Sequence, residues 1–305
     1  MPQTQVSVLL SVHGDSHFLK DFLDSLANQS FRDFTLYCRF DGDPAASTLD
    51  AIGGFPSAVV LSDRIHLGVA ASYQKLLECA SESRYVMLAD QDDVWHPDKI
   101  ARSVRAIEEA ESALPPGTPV LVHSDLSVVD ESLRSIAPSM IRYQSLNPAR
   151  TSLADLMIQN NATGCTMIVN RPLADLAHIP DAAICHDWYL ALIAAAFGSI
   201  VFLPDSLVDY RQHKENVFGA VPRGSLLKRF LQREHLHYRV ELTRRQAGAF
   251  LDQFRDKLTP EQTVIVGDWS RSLDEPCYFR RLRTIWRHRF RKNDWLRTLG
   301  LWWAA

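Results

Sequence analysis

Val6-Ser-Val-Leu-Leu-Ser-Val is the stretch that most narrows what this chain can fold into. It is rich in β-formers and nearly continuous in apolarity, so a strand here needs cover on both faces. Phe18 to Gln29 then has helical spacing, with Phe18, Phe22, Leu23 and Leu26 on one side. Phe34-Thr-Leu-Tyr-Cys-Arg-Phe reads as a second strand, closed by Asp41-Gly42-Asp43, and Ala58-Val-Val-Leu as a third. A helix from Val69 to Ala80 leads into the strand Tyr85–Ala89. This alternation predicts an α/β fold with a mostly parallel sheet flanked by helices. In such sheets ligands bind beyond the carboxyl ends of the strands.

The strand at Tyr85–Ala89 runs into Asp90-Gln91-Asp92-Asp93, three carboxylates within four positions. Like charges this close repel, so a compensating cation is expected. A hard divalent ion is the simplest, because Mg2+ and Mn2+ take oxygen ligands and share them between carboxylates and substrate phosphates. The plainer reading is a solvated acidic turn capping a helix that starts near Pro97.

With 305 residues the chain can bury a large core. Its second half supplies the strand Val120-Leu-Val-His-Ser-Asp, the segment Gly164-Cys-Thr-Met-Ile-Val-Asn, a helix from Asp187 to Ala196 and the strand Ile200–Leu203. The apolar stretch Trp188 to Pro204 contains Gly198 and Ser199 and is too short for a membrane span. Five cysteines without CxxC spacing argue against a disulfide framework or a zinc site and favour a reducing compartment. The N-terminus enters a strand pattern directly, with no signal-peptide pattern. Of 33 basic and 36 acidic residues, 18 and 9 fall in residues 223–305. That asymmetry suggests a catalytic body over 1–220 and a helical, basic region over 221–305, divided near Val221-Pro-Arg-Gly.

Val6-Ser-Val-Leu-Leu-Ser-Val-His-Gly is similar to the opening strand of a known family, and Phe40-Asp41-Gly42-Asp43 stands where that family has Asp-Asp-Gly-Ser. Asp90-Gln91-Asp92-Asp93-Val94-Trp95, His186-Asp187-Trp188 and Arg211-Gln-His213-Lys-Glu-Asn216 follow in the expected order. Together they resemble an inverting family 2 glycosyltransferase with the GT-A fold, over residues 5 to 220. The nearest branch is the rhamnosyltransferase-like one of bacterial surface polysaccharide synthesis. Phe40, Asp43 and the His66-Leu-Gly68 element depart from the family pattern.

The resemblance implies metal-dependent transfer of a hexose, L-rhamnose from dTDP-L-rhamnose, to a lipopolysaccharide or other lipid-linked surface glycan. It implies Val12, His13, Asp41, Asp43, Gly68, Asp90, Gln91 and Asp92 at the nucleotide sugar, and Mg2+ or Mn2+ on Asp92 and His213. The resemblance further implies Asp93, Trp95, Asn161, Gly164, His186 and Trp188 in the donor-sugar or acceptor vicinity. An inverting transfer needs a base for the acceptor hydroxyl, and Asp187 is the candidate. The other reading of Asp187 is a plain helix N-cap. Asp43 reads equally well as loop chemistry, Ser124-Asp125 as a turn or a donor-sugar contact, and Trp188 as core. Gly42 suits a turn with positive φ or a close backbone approach.

From Tyr278 to Trp303 arginines interleave with Phe279, Trp286, Trp295, Trp302 and other apolar residues at helical spacing. This pattern fits an anionic membrane surface at residues 278–303, hence a cytoplasmic enzyme peripheral on the inner membrane. The competing reading packs the segment on the domain beneath snorkelling arginine stems. The acidic body argues against a nucleic-acid partner. Two other functions share the fold class: a non-catalytic sugar-nucleotide or glycan-binding protein, and a metal-dependent nucleotidyltransferase. The latter wants a cationic phosphate loop, and His13-Gly-Asp-Ser supplies no Lys or Arg.

Overall fold

A computed structural model describes residues 5–14, 17–213 and 233–304. Asp15-Ser16, the Lys214–Asn216 end of the late histidine motif and the boundary at Val221-Pro-Arg-Gly lie outside the described residues. The chain forms two compact units. One comprises Met1–Met140, Ala162–Ile179 and Cys185–Ala220; the other comprises Ile141–Asn161, Pro180–Ile184 and Val221–Ala305.

The first unit is an α/β sheet covered by helices. β1 (Val6–Val12), β2 (Phe34–Phe40), β3 (Ala58–Val60) and β4 (Tyr85–Ala89) are mutually parallel in the order β3-β2-β1-β4. Every residue of β4 is buried, and so is β1 except for half-buried Ser11, as continuous apolarity requires. α1 (Leu19–Ala27) and α3 (Val69–Cys79) each present one apolar face, Phe22 and Leu26 on α1, Tyr73, Leu76 and Leu77 on α3. β1 has β2 on one side and β4 on the other, so the connections diverge there and leave a crevice beyond its carboxyl end. Register aligns that edge: Val12 pairs with Phe40 and Leu10 with Ala89, so His13, Asp41 and Asp90 emerge side by side.

The rest of the sheet is mixed. β8 (Met167–Asn170) runs antiparallel between β4 and β6 (Val120–Val129), and β6 pairs in parallel with the long β9 (Ser199–Arg211). β7 (Ser135–Ala137) pairs with β6 off the main path. The two-residue β5 (Val94–Trp95) pairs antiparallel with β9, which returns Arg211 to the turn that precedes β5. α8 (His186–Phe197) is buried along its first nine residues, as an almost wholly apolar helix must be.

The second unit is helical. The helices Arg233–Phe254 and Pro260–Ser270 enclose Phe250, Phe254, Val266 and Trp269, and a Thr259/Gln262 capping box starts the latter. Tyr278–Arg287 and Trp295–Ala304 complete it, with Ile285, Phe290 and Leu301 buried and Phe290 edge-on to Trp269 at 5.0 Å. Among the described residues no helix is long and apolar enough to cross a membrane.

Candidate active site

The chain turns sharply after β4 because β5 must double back to reach β9, and Asp90–Asp93 form that turn. Arg211 holds it from the end of β9. Its backbone N–H donates to Asp93 Oδ1 at 3.3 Å, Nε donates to the Asp92 carbonyl at 2.9 Å, and Nη2 reaches Asp21 of α1 at 2.7 Å. The guanidinium lies 4.2 Å from the centre of the Phe18 ring. Two residues on, His213 Nε2 meets Asp92 Oδ2 at 2.6 Å. A carboxylate oxygen and an imidazole nitrogen thus converge where two more carboxylates crowd. Burial first, then Asp92 and Asp187, push the Asp90 carboxyl up to about 7. Burial, then Asp92 and Asp90, raise Asp93 well above the ordinary range, and its Oδ2 is buried with no hydrogen-bond partner among the described residues. Ligand atoms of Asp90, Asp93 and Cys165 all lie within 4.8 Å of one another. Carboxylates driven towards neutrality beside an imidazole nitrogen suit a divalent cation, which restores the charged form. The turn does not cap the following helix; α4 (Lys99–Ser112) starts after Asp98.

Beneath the turn sits a residue that sequence reasoning missed. Lys99 is fully buried, its Nζ lies 4.1 Å from the Trp95 ring centre, and that nitrogen has no hydrogen-bond partner among the described residues. Burial lowers its pKa to about 8, against the opposing influence of Cys165 and Asp93. Lys99 is therefore an internal cation facing the carboxylate cluster. Trp95 is core here: its ring meets Phe22 edge-on at 5.7 Å and its backbone N–H donates to Ser25 Oγ. The sequence signal for Lys99 was a basic residue on the buried face of α4, among Ile100, Val104 and Ile107.

The neighbouring strand ends build a second wall. Asp41 is buried; its Oδ1 accepts from Arg39 Nη1 at 2.9 Å and the Leu67 amide at 2.6 Å, and its Oδ2 from the Gly68 amide at 3.0 Å. Burial alone would raise this carboxyl, but those donors and Ser72 hold it below the ordinary range. Asp41 thus orders the His66–Gly68 loop, with Arg39 braced by Asp63, Ser72 and the Ile65 carbonyl. The Asp41 amide donates to Val12 O at 2.7 Å, and His13 Nδ1 lies 2.9 Å from the Asp41 carbonyl oxygen. Gln91 clips the strand ends together, exchanging hydrogen bonds with the His13 backbone at 3.0 and 3.1 Å. The intervening Gly42 has φ 109°, which only glycine adopts without strain. Asp43 is exposed beyond it.

Asp187 lies in the first turn of α8, not at its N-cap, which is Cys185. Its Oδ2 accepts the Gly164 amide at 2.9 Å and its Oδ1 the Trp188 amide at 2.5 Å. Burial raises its pKa in spite of these bonds and that from Cys185. A Cβ on Gly164 would sit 3.2 Å from His186 Nε2 and 3.4 Å from Asp187 Cβ, so glycine permits the approach. His186 stacks on Tyr73 at 3.7 Å, and burial lowers its pKa to about 3. Its Nε2 is buried without a hydrogen-bond partner among the described residues. Trp188 is buried, and the Asp125 carboxylate is taken by Ser139 Oγ and the Leu126 amide. Asn161 belongs to the second unit, where it donates to the Arg150 carbonyl and accepts from Asn293. The structure therefore brings His13, Asp41, Gly68 and Gln91 together, gathers Asp90, Asp92, Asp93 and His213, and joins Gly164, His186 and Asp187. Asp90 feels the charge of Asp187, which couples the last two groups.

A mixed sheet with a carboxylate turn at its switch point is the architecture of an α/β protein whose ligand site lies beyond the strand ends. The model of Glycosyl transferase family 2 matches residues 7–165, and the chain belongs to that family. It is 23% identical over 245 residues to the amylovoran biosynthesis glycosyltransferase AmsB of Erwinia amylovora, covering 75% of this chain and 76% of that protein. It is 24% identical over 154 residues to uncharacterized mycobacterial proteins, half of this chain but only 41% of their length. Among solved structures, Staphylococcus aureus TarS 1-349 in complex with UDP-GlcNAc aligns with TM-score 0.55 and 15% identity over 88% of this chain and 81% of that one. The mannosyltransferase PcManGT of Pyrobaculum calidifontis, in complex with GDP-Man and Mn2+, aligns with TM-score 0.53 and 18% identity over 94% and 74%. These likenesses establish the GT-A-type fold.

Proposed function

We propose that this protein is a metal-dependent inverting glycosyltransferase. It moves a hexose, L-rhamnose from dTDP-L-rhamnose, to a lipopolysaccharide or other lipid-linked surface glycan at the inner membrane. The observation that carries the reading is the meeting of Asp90–Asp93 and His213 beyond the strand ends with Asp187 nearby, where burial, then Asp92 and Asp187, raise the Asp90 carboxyl. Asp92 and His213 would hold Mg2+ or Mn2+, which supplies Lewis-acid neutralisation of the diphosphate. Asp41, His13 and Gln91 form the wall that receives the nucleotide. Asp187, made more basic by burial, takes the proton of the acceptor hydroxyl as the acceptor oxygen attacks the anomeric carbon. The bond from that carbon to the diphosphate breaks, the electron pair leaves with the nucleoside diphosphate, and the configuration inverts.

The amylovoran biosynthesis of AmsB supports a glycan-building role, the UDP-GlcNAc bound by TarS supports a nucleotide-sugar donor, and the Mn2+ of PcManGT supports the metal. The test is a panel of nucleotide sugars assayed for nucleoside diphosphate release with Mg2+ or Mn2+. Turnover of dTDP-L-rhamnose above the others supports the donor assignment. No release from any sugar nucleotide, by a folded protein with metal present, would sink the transferase reading.

A further inference from the structure

The second unit carries large apolar side chains in an unusual place. On the helix Tyr278–Arg287, Ile285 is buried, whereas Phe279, Arg280, Arg283, Trp286 and Arg287 are exposed on one face at i, i+3, i+4 and i+7 spacing. Phe279 is 78% exposed and Trp286 63%. On the helix Trp295–Ala304, Trp295, Leu299 and Trp303 are all exposed and fall at i, i+4 and i+8, a single apolar stripe. The two helices are fastened together: Trp286 meets Trp302 edge-on at 6.1 Å, and the Tyr278 hydroxyl donates to the Trp302 carbonyl at 3.1 Å. Their inward sides are already used by Ile285, Phe290 and Leu301. Packing thus accounts for one side of this segment and leaves the aromatic side in water.

Charge says what could cover it. Arg280 and Arg287 approach Glu275 and Asp268 only at 3.6 and 3.7 Å, and among the described residues no ion pair involves Arg283, Arg289 or Arg291. Guanidinium groups interleaved with exposed Phe and Trp match an interface with anionic headgroups above and acyl chains below. A purely apolar partner would leave these arginines buried and unpaired.

We propose that Phe279, Trp286, Trp295 and Trp303, with Arg280, Arg283 and Arg287, form a face that lies on an anionic phospholipid surface. It follows, resting on the transferase reading, that the acceptor is an amphiphile presented at that surface, a lipid-linked saccharide. The rings enter the headgroup region and the arginine stems carry their charges to the phosphates.

The experiment is co-sedimentation of the full chain with phosphatidylethanolamine vesicles, with and without phosphatidylglycerol. Binding should require phosphatidylglycerol and weaken as salt rises. The triple change Arg280→Gln, Arg283→Gln, Arg287→Gln should lower partitioning about 100-fold, at about fivefold per charge. Phe279→Ser with Trp295→Ser should lower the salt-resistant remainder. Both variants alter exposed side chains, so melting temperature and nucleoside diphosphate release with a soluble acceptor should stay as in the parent. Equal binding to neutral vesicles, no binding to either, or concentration-dependent dimerisation that these changes abolish would overturn the proposal. So would RNA binding that replaces vesicle binding. Vesicle binding without sugar-nucleotide turnover would defeat the transferase reading and leave the surface standing; turnover without vesicle binding would do the reverse.

Discussion

The two units handle charge in opposite ways. In the first, three aspartates of one turn are folded close together, with Asp93 fully buried, and burial, then repulsion from neighbouring carboxylates, raises Asp90 and Asp93. In the second, arginines stand exposed among exposed aromatic rings. Residues 223–305 hold 18 basic and 9 acidic side chains, against 15 and 27 in residues 1–222. Buried like charge is costly and stays only where something compensates it, such as an ion or an internal cation. Exposed like charge costs little, and its effect is long-range attraction that salt screens. On the readings proposed above, the first arrangement would hold a small ion and the second would lie on an extended surface.

The comparison breaks most easily at Asp187. Asp187→Asn should lower transfer by about 10²- to 10⁴-fold while donor affinity, measured by calorimetry, stays nearly unchanged. A rate within a few-fold of the parent would place the base elsewhere. In the second unit the largest effect belongs to the buried side. Phe290→Ala removes the ring against Trp269 and should cost about 3–5 kcal/mol in denaturant unfolding. Deleting residues from 278 onward should likewise destabilise the unit, because Ile285, Phe290 and Leu301 go with them.

Lys99→Met tests the internal cation. Removing one partner of a buried charge cluster should cost on the order of 3 kcal/mol. Added Mn2+ should recover part of that loss if the carboxylates are the reason. Equal losses with and without Mn2+ would reduce Lys99 to a packing residue.

A pH series sharpens the first unit further. Asp90 is held at about 7 by burial, Asp92 and Asp187, above its ordinary 3.8. A carboxyl raised on folding stabilises the protonated protein most, and that stability is lost as pH climbs from about 4 through about 7. A divalent ion relieves the repulsion of the ionised form. The rise in melting temperature with Mn2+ should therefore be larger near pH 8 than near pH 5, by calorimetric scanning. An equal rise at both would mean the ion binds away from this cluster. The smallest effect is expected at the exposed rings: Trp295→Ser should change stability by less than about 0.5 kcal/mol.

Much of the first unit was legible in the chain. Nearly continuous apolar runs rich in β-formers announce buried strands, and β1, β2 and β4 appear where Val6–Val12, Phe34–Phe40 and Tyr85–Ala89 required. The carboxylate turn was legible too, since Asp90, Asp92 and Asp93 follow an apolar strand directly. The antiparallel insertion of β8 was not legible, because an apolar strand of four residues carries no mark of its direction. Nor was the fate of Trp95: its aromaticity suits a sugar platform and a core equally, and only the packing of Phe22 and Lys99 against it decides.

By itself the sequence determined the βα alternation, the placing of carboxylates at strand ends and the basic, aromatic character of the last segment. All three are local patterns, written in neighbouring residues. Tertiary structure alone decided that Arg211 clamps the turn, that Lys99 lies under it, that Asp41 spends its oxygens on the His66–Gly68 loop, and that Asn161 joins the helical unit. Each joins residues far apart in the chain, and such contacts depend on register and on which face of an element is covered. The same holds for the last segment. Its composition fits burial and exposure alike, and only the packing of Ile285, Phe290 and Leu301 inward turned Phe279, Trp286 and Trp295 out to solvent.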